Sequence, residues 1–193
     1  VIGSLASRIL QAGHILSLDL PAKLGSQSEI RVSFARPSVP TTLSVKVMAN
    51  ITSSSSLHAG KMPTPPEKAT LSGGTDFSID YSPNEDGQIS TVAVRGGSFT
   101  HRLKLSPNDK TIEMALYVDN TFTEAYFMDG RAVMTVPTAA TQDAAVGVSS
   151  SADGVSLRSA TVWHVSPIWI TPEDVKSAPR PDGPACCLGS PVA

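Results

Sequence analysis

Apolar residues recur at every second position along most of the chain, the spacing that puts alternate side chains on one face of a β-strand. Ile30, Val32 and Phe34 alternate with Glu29, Arg31 and Ser33. After the turn at Pro37 to Pro40, Leu43, Val45 and Val47 repeat the pattern, which predicts two antiparallel strands. Phe77, Ile79 and Tyr81 form a third run, closed by the turn-forming cluster Ser82-Pro83-Asn84-Glu85-Asp86-Gly87. Further strands are predicted over Ile89 to Val94 and, beyond Arg95-Gly96-Gly97, over Phe99 to Leu105. The clearest alternation, Ile112, Met114, Leu116 and Val118, follows the turn at Ser106-Pro107-Asn108-Asp109. Asp119-Asn120 leads on to Phe122 to Met128, and the hairpin signal Asp129-Gly130 returns the chain along Arg131 to Val136, making a three-stranded meander. Ala145 to Ser149 and Val155 to Val165, joined through Ser151-Ala152-Asp153-Gly154, supply two more strands.

Strands spaced at about 8 to 12 residues with so little helical period predict an all-β fold, a two-sheet antiparallel β-sandwich of jelly-roll or concanavalin-like type. Gly3 to Ala12 reads as helical, with Leu5 and Ile9 four apart. Thr171-Pro172-Glu173-Asp174 resembles a helix start that Pro179 and Pro181 soon stop. Thr52 to Thr70, with four consecutive serines and no apolar period, reads as a long surface loop. The expected layout is a linker or short helix over 1–12, the sandwich over 13–170, and a Pro- and Gly-rich tail over 171–193 that lacks the apolar residues to pack.

Composition narrows the function. At 193 residues the chain is sized for one well-buried core, and 40% hydrophobic against 17% charged residues is the balance of a folded domain. A net charge of −2 without a basic cluster gives no footprint for nucleic acid or an anionic membrane surface. No apolar run reaches the roughly 18 to 20 residues of a membrane span. The start at Val1 has no signal-peptide profile, so the sequence is expected to be a piece of something longer. His14, His58, His101 and His164 lack metal-ligand spacing, and no Ser or Cys sits in a nucleophile-elbow sequence. Cys186 and Cys187 are adjacent and near the end, unable to staple the core or to complete a zinc site alone. Neither metal nor cofactor is expected. Asn50-Ile51-Thr52 is an N-glycosylation sequon, relevant only on a secretory route. Trp163 and Trp169 offer ring faces to the C–H patch of a sugar. Core packing is the commoner use of such residues, and Trp169, in the segment leaving the last strand, is the better sugar-stacking candidate.

The segment from Leu116 to Thr135, LYVDNTFTEAYFMDGRAVMT, resembles the sandwich signature of glycoside hydrolase family 32, V-D-x-S-x-x-E-x-F-x-x-x-G-R-x-V-x-T. Thr121 stands where the family has Ser and Tyr126 where it has Phe. Arg95 with Ser98, and Ala160-Thr161-Val162-Trp163, are similar to flanking pieces of the same family. The resemblance implies a C-terminal β-sandwich whose catalytic partner is a preceding five-bladed propeller. The propeller's N-D-P-N, R-D-P and E-C tracts have no match here, so no catalytic residue is carried over. It further implies a parent acting on β-fructofuranosyl bonds, as hydrolase or transferase, in a secreted, vacuolar or extracellular setting; the sugar stays open.

The residues of the signature read as structural. Asp119 can accept backbone amides of the turn it opens, Gly130 supplies a positive φ, and Glu124 and Arg131 are candidates for a cross-strand pair. The competing reading, Asp119 and Glu124 as a cleaving carboxylate pair, needs a separation of about 5 to 9.5 Å and one carboxyl held protonated. Their meeting in an open pocket would favour it. The expected function is therefore a non-catalytic module that stabilises the propeller and edges its cleft; a free-standing carbohydrate-binding or protein-interaction sandwich is the alternative.

Overall fold

The computed structural model describes residues 1–18, 20–21, 23–53, 70–84, 89–139, 141–166 and 172–177. The strands are β1 Gly3–Leu5, β2 Arg8–Leu10, β3 Ile15–Ser17, β4 Gln27–Ala35, β5 Thr41–Ser53, β6 Thr70–Ser72 and β7 Thr75–Tyr81. They continue with β8 Ser90–Gly96, β9 Phe99–Leu105, β10 Thr111–Asp119, β11 Phe122–Phe127, β12 Ala132–Pro137, β13 Ala145–Ser150 and β14 Val155–His164. A 3-10 turn at Leu24–Ser26 precedes β4, and a six-residue helix, α1 Pro172–Ser177, forms at the predicted helix start.

Two antiparallel sheets face each other. The first runs β1-β14-β4-β10-β11-β12 with β2 also on β14, and the second runs β3-β13-β5-β7-β8-β9 with β6 on β5. The sandwich expected from the alternation is the fold observed. Its core is the inward half of each alternating run. Ile30, Val32 and Phe34 of β4, Ile112, Met114 and Leu116 of β10, and Phe127 of β11 meet Leu43, Val45 and Val47 of β5, Phe77 and Ile79 of β7, and Leu105 of β9. Burial of each such side chain contributes about 1.5–3 kcal/mol, which is what fixes the register.

Several local expectations are corrected. Residues 3–10 form no helix. They make two short strands on β14, with Gly3 opposite Val162 and Leu10 opposite Val155, because the unpaired edge of β14 offers hydrogen bonds and a buried seat for Leu10. The first sheet thus begins inside the segment expected to be linker. β4 and β5 do not pair with each other: the Pro37–Pro40 turn carries the chain from one sheet to the other, as does the turn between β13 and β14. The β10-β11-β12 meander forms as expected, with Ala115 opposite Tyr126 and Tyr126 opposite Val133. β3 and β6 escaped the sequence reading, each being too short to show alternation. The loop expected over Thr52 to Thr70 and the tail beyond Ser177 lie outside the described residues, apart from the loop's ends in β5 and β6.

Candidate functional site

Because the core takes the even-numbered residues of β4 and β10, their odd-numbered neighbours stand on the solvent face of the first sheet. Register aligns them in rows. One row is Trp163, Glu29, Tyr117, Glu124 and Thr135; the next is Thr161, Arg31, Ala115, Tyr126 and Val133. Ala115, the smallest member, leaves a gap between Arg31, Tyr117 and Tyr126. A hollow of about 470 Å³ opens there, with Glu124 and Asp129 on its rim. A second hollow of about 220 Å³ shares Arg31, Ala115, Tyr126 and Asp129 and extends past Glu113 to Ser159. A third, of about 400 Å³, shares Tyr117 and Glu124 and runs past Asp119 and Phe122 to Val165.

The side chains of this groove hold one another. Tyr117 and Tyr126 pack edge to face, with centroids 5.5 Å apart and planes at 85°. Arg31 Nε donates to Glu29 Oε1 at 2.6 Å, which raises the guanidinium above its ordinary pKa. The Tyr126 hydroxyl donates to Glu124 Oε2 at 3.3 Å, and the Glu124 charge is the leading reason that the hydroxyl ionises above its ordinary value. Thr111 Oγ1 donates to Glu113 Oε1 at 3.0 Å. With Arg31 matched by Glu29, the carboxylates of Glu113, Glu124 and Asp129 leave the groove acidic.

Asp119 and Glu124 do meet, along the third hollow. They stand two residues apart on the outer ladder, since Tyr117 faces Glu124 while Asp119 faces Phe122. Glycosidic cleavage needs one carboxyl kept protonated by burial. Here Asp119 is exposed, and its Oδ1 accepts from Asn120 Nδ2 at 3.3 Å and Gln27 Nε2 at 3.5 Å. Glu124 is half-buried on an open sheet face. The pair lacks the shielding that an acid–base couple requires.

The rest of the signature departs from expectation in its partners. The turn amide of Thr121 goes to the backbone carbonyl of Asp119, not to its carboxylate. Gly130 has the expected positive φ, 84°, and Met128 and Asp129 share that region. Arg131 does not pair with Glu124, which lies at the far end of the hairpin opposite Thr135. It binds Asp109 in bidentate fashion, Nη1 to Oδ2 at 2.6 Å and Nη2 to Oδ1 at 2.8 Å, and so links the β9–β10 loop to the β11–β12 turn. That bond, with help from the Ser106 amide and the nearby Arg36, holds the Asp109 carboxyl below its ordinary range. Arg95 pairs instead with Asp80 at 2.7 Å on the outer face of the second sheet.

Asn50 lies in β5 opposite Ser72, with its Oδ1 buried and without a hydrogen-bond partner. Trp163 is half-buried on the outer face beside Glu29, and Trp169, the sugar-stacking candidate, lies outside the described residues. Among the described residues no three His, Cys, Asp or Glu side chains cluster to hold a metal, and no helix is long and apolar enough to cross a membrane. Sequence reasoning missed Arg31, Tyr117, Ala115 and Asp129. Alternation put the first three on the solvent side, but only the β4-β10-β11 register makes them neighbours.

No known family pattern matches the chain, and no curated protein is similar to it. Solved structures are. A fructan 1-exohydrolase from Cichorium intybus in complex with 1-kestose matches at a TM-score of 0.61 and 12% identity, over 83% of this chain and 34% of its own. An exo-inulinase from Aspergillus awamori matches at 0.53 and 16%, over 87% and 31%. A fructofuranosidase from Schwanniomyces occidentalis complexed with fructose matches at 0.51 and 11%, over 83% and 32%. The chain spans about a third of the length of each. At these identities the likeness is one of fold, and it agrees with the resemblance drawn from the Leu116–Thr135 hairpin.

Proposed function

We propose that this chain is the accessory β-sandwich of a glycosidase acting on β-fructofuranosyl bonds, in which it packs against and stabilises a catalytic propeller. The observation that carries the reading is the agreement of two likenesses. A local one, Leu116 to Thr135, points to family 32, and a global one joins most of this chain to about a third of a fructan exohydrolase. Asp119 and Glu124 do share one hollow, the arrangement the cleaving reading asks for, but Asp119 is exposed and accepts from Gln27 and Asn120, without the burial that keeps a carboxyl protonated, and this supports a role other than bond cleavage for the sandwich itself. Catalysis would then belong to the rest of the protein, and the sandwich contributes a rigid wall beside the cleft.

The coding sequence upstream of the Val1 codon tests this directly. The reading expects a propeller there, with the N-D-P-N, R-D-P and E-C tracts. An unrelated domain in that position, or an initiation codon immediately before Val1, overturns it.

A further inference from the structure

The outer face of the first sheet carries a groove, and that of the second a set of ion pairs. On the second sheet the outward side chains include paired polar groups, Lys46 on Asp76 at 2.6 Å, Thr42 on Asp80 at 2.9 Å and Arg95 on Asp80, while Phe99 of β9 and Ile51 of β5 are also exposed. Its edge strand β9 carries Arg102 and Lys104, the charges that keep an open edge from pairing. On the first sheet Tyr117, Phe122 and Val133, with Val165 just beyond β14, remain exposed around a groove.

We propose that this groove binds a neutral oligosaccharide, with the Tyr117–Tyr126 pair as its stacking platform. Three observations converge. First, the three hollows adjoin through shared walls, Arg31 and Tyr126 between those of about 470 and 220 Å³ and Tyr117 and Glu124 between those of about 470 and 400 Å³, which suits an extended ligand of several units. The central hollow alone, about 470 Å³, falls within the range of about 300–1,000 Å³ typical of small-molecule sites. Second, the lining alternates ring faces and edges with hydrogen-bonding groups of both kinds: the Arg31 guanidinium donates, Glu124 and Asp129 accept, and the tyrosine hydroxyls do either. Hydroxyl-rich rings with apolar C–H faces match that mixture, and a purely apolar ligand does not. Third, the acidic excess from Glu113, Glu124 and Asp129 repels phosphates, nucleic acids and acidic sugars. The groups are also held in place before binding, Arg31 by Glu29 and Tyr126 by Glu124 and Tyr117, which lowers the ordering cost.

The site belongs to the sandwich and does not depend on a catalytic domain; only the choice of a fructan probe rests on the proposed function. The test is titration of the 193-residue chain with 1-kestose, maltotriose and a galacto-oligosaccharide, followed by backbone amide shifts. Expected are shifts confined to β4, β10 and β11 with at least one sugar at millimolar concentration. Tyr117→Ala and Tyr126→Ala should each weaken binding by about tenfold, the scale of one lost ring contact. The exposed Arg31→Met should weaken it with the fold untouched, and so guards against an unfolded tyrosine variant. Response to a gluco- or galacto-sugar but not to 1-kestose supports the groove while counting against the fructan reading. No shift on these strands with any of the three, shifts lying elsewhere, or unchanged binding in Arg31→Met and both tyrosine variants overturns the proposal.

Discussion

The bidentate pair of Arg131 and Asp109 should couple the two sheets energetically. Asp109 accepts three bonds on its carboxylate, two from Arg131 and one from the Ser106 amide at 2.6 Å, and its carbonyl accepts from Arg36 Nη1 at 3.3 Å. Its side chain is 13% exposed, that of Arg131 44%. Fully exposed pairs contribute about 0.2–1 kcal/mol, and charge-assisted bonds in drier settings about 1.5–3 kcal/mol. One partner nearly buried and the other half in water puts the coupling between, at about 1–2 kcal/mol. Asp109→Ala should cost more than that coupling alone, about 2–3 kcal/mol, because it also strands the Ser106 amide and the Arg131 guanidinium. The assay is a double-mutant cycle of Arg131→Ala and Asp109→Ala in urea. In thermal unfolding the coupling corresponds to about 2–8 °C for a domain of this size. The pH dependence has a definite sign. Asp109 is held below its ordinary value in the folded protein, so its contribution is complete above the unfolded aspartate value of about 3.9. It declines as pH falls through that value and is gone below the depressed folded one. A coupling under about 0.3 kcal/mol at neutral pH, or one that grows on acidification, refutes the argument.

Two further outcomes follow from the packing and the groove. Gly96→Ala would bring a methyl group to 2.5 Å from Met134 Sδ and 2.8 Å from the Phe77 ring, both in the core, so it should destabilise by about 1–3 kcal/mol in denaturant unfolding; a neutral effect would show that the inter-sheet gap is looser than drawn. Glu124→Gln removes the leading cause of the raised Tyr126 ionisation, and ultraviolet titration should show that hydroxyl moving down towards its ordinary value, whereas no movement assigns the shift to another group.

How far the sequence could be read depends on which kind of contact decides each feature. Strand runs such as Ile112 to Val118 were plain because a half-buried strand writes its two faces into alternate residues, and the Asp129-Gly130 signal located a hairpin whose positive φ values the structure confirms. The first ten residues misled. Leu5 and Ile9 sit at a helical spacing, yet pairing with the free edge of β14 prevails, a tertiary choice that local propensity cannot see. Turn chemistry at Pro37–Pro40 and Ser151–Gly154 said correctly that the chain reverses there but could not say that the next strand joins the opposite sheet. Arg131 was recognised and its partner was not, since Asp109 reaches it from a neighbouring loop and not along the ladder. The groove has the same cause: Arg31, Ala115, Tyr117 and Tyr126 are unremarkable in sequence and acquire meaning only when β4, β10 and β11 lie side by side.

The claim on which the rest turns is that the acidic residues of the hairpin hold a recognition surface and do not cleave bonds. It is tested by measuring fructose release from sucrose and inulin by the purified chain, beside Asp119→Asn and Glu124→Gln. No release beyond that of the two variants is the predicted result. Release by the unaltered chain that disappears in either variant would contradict it.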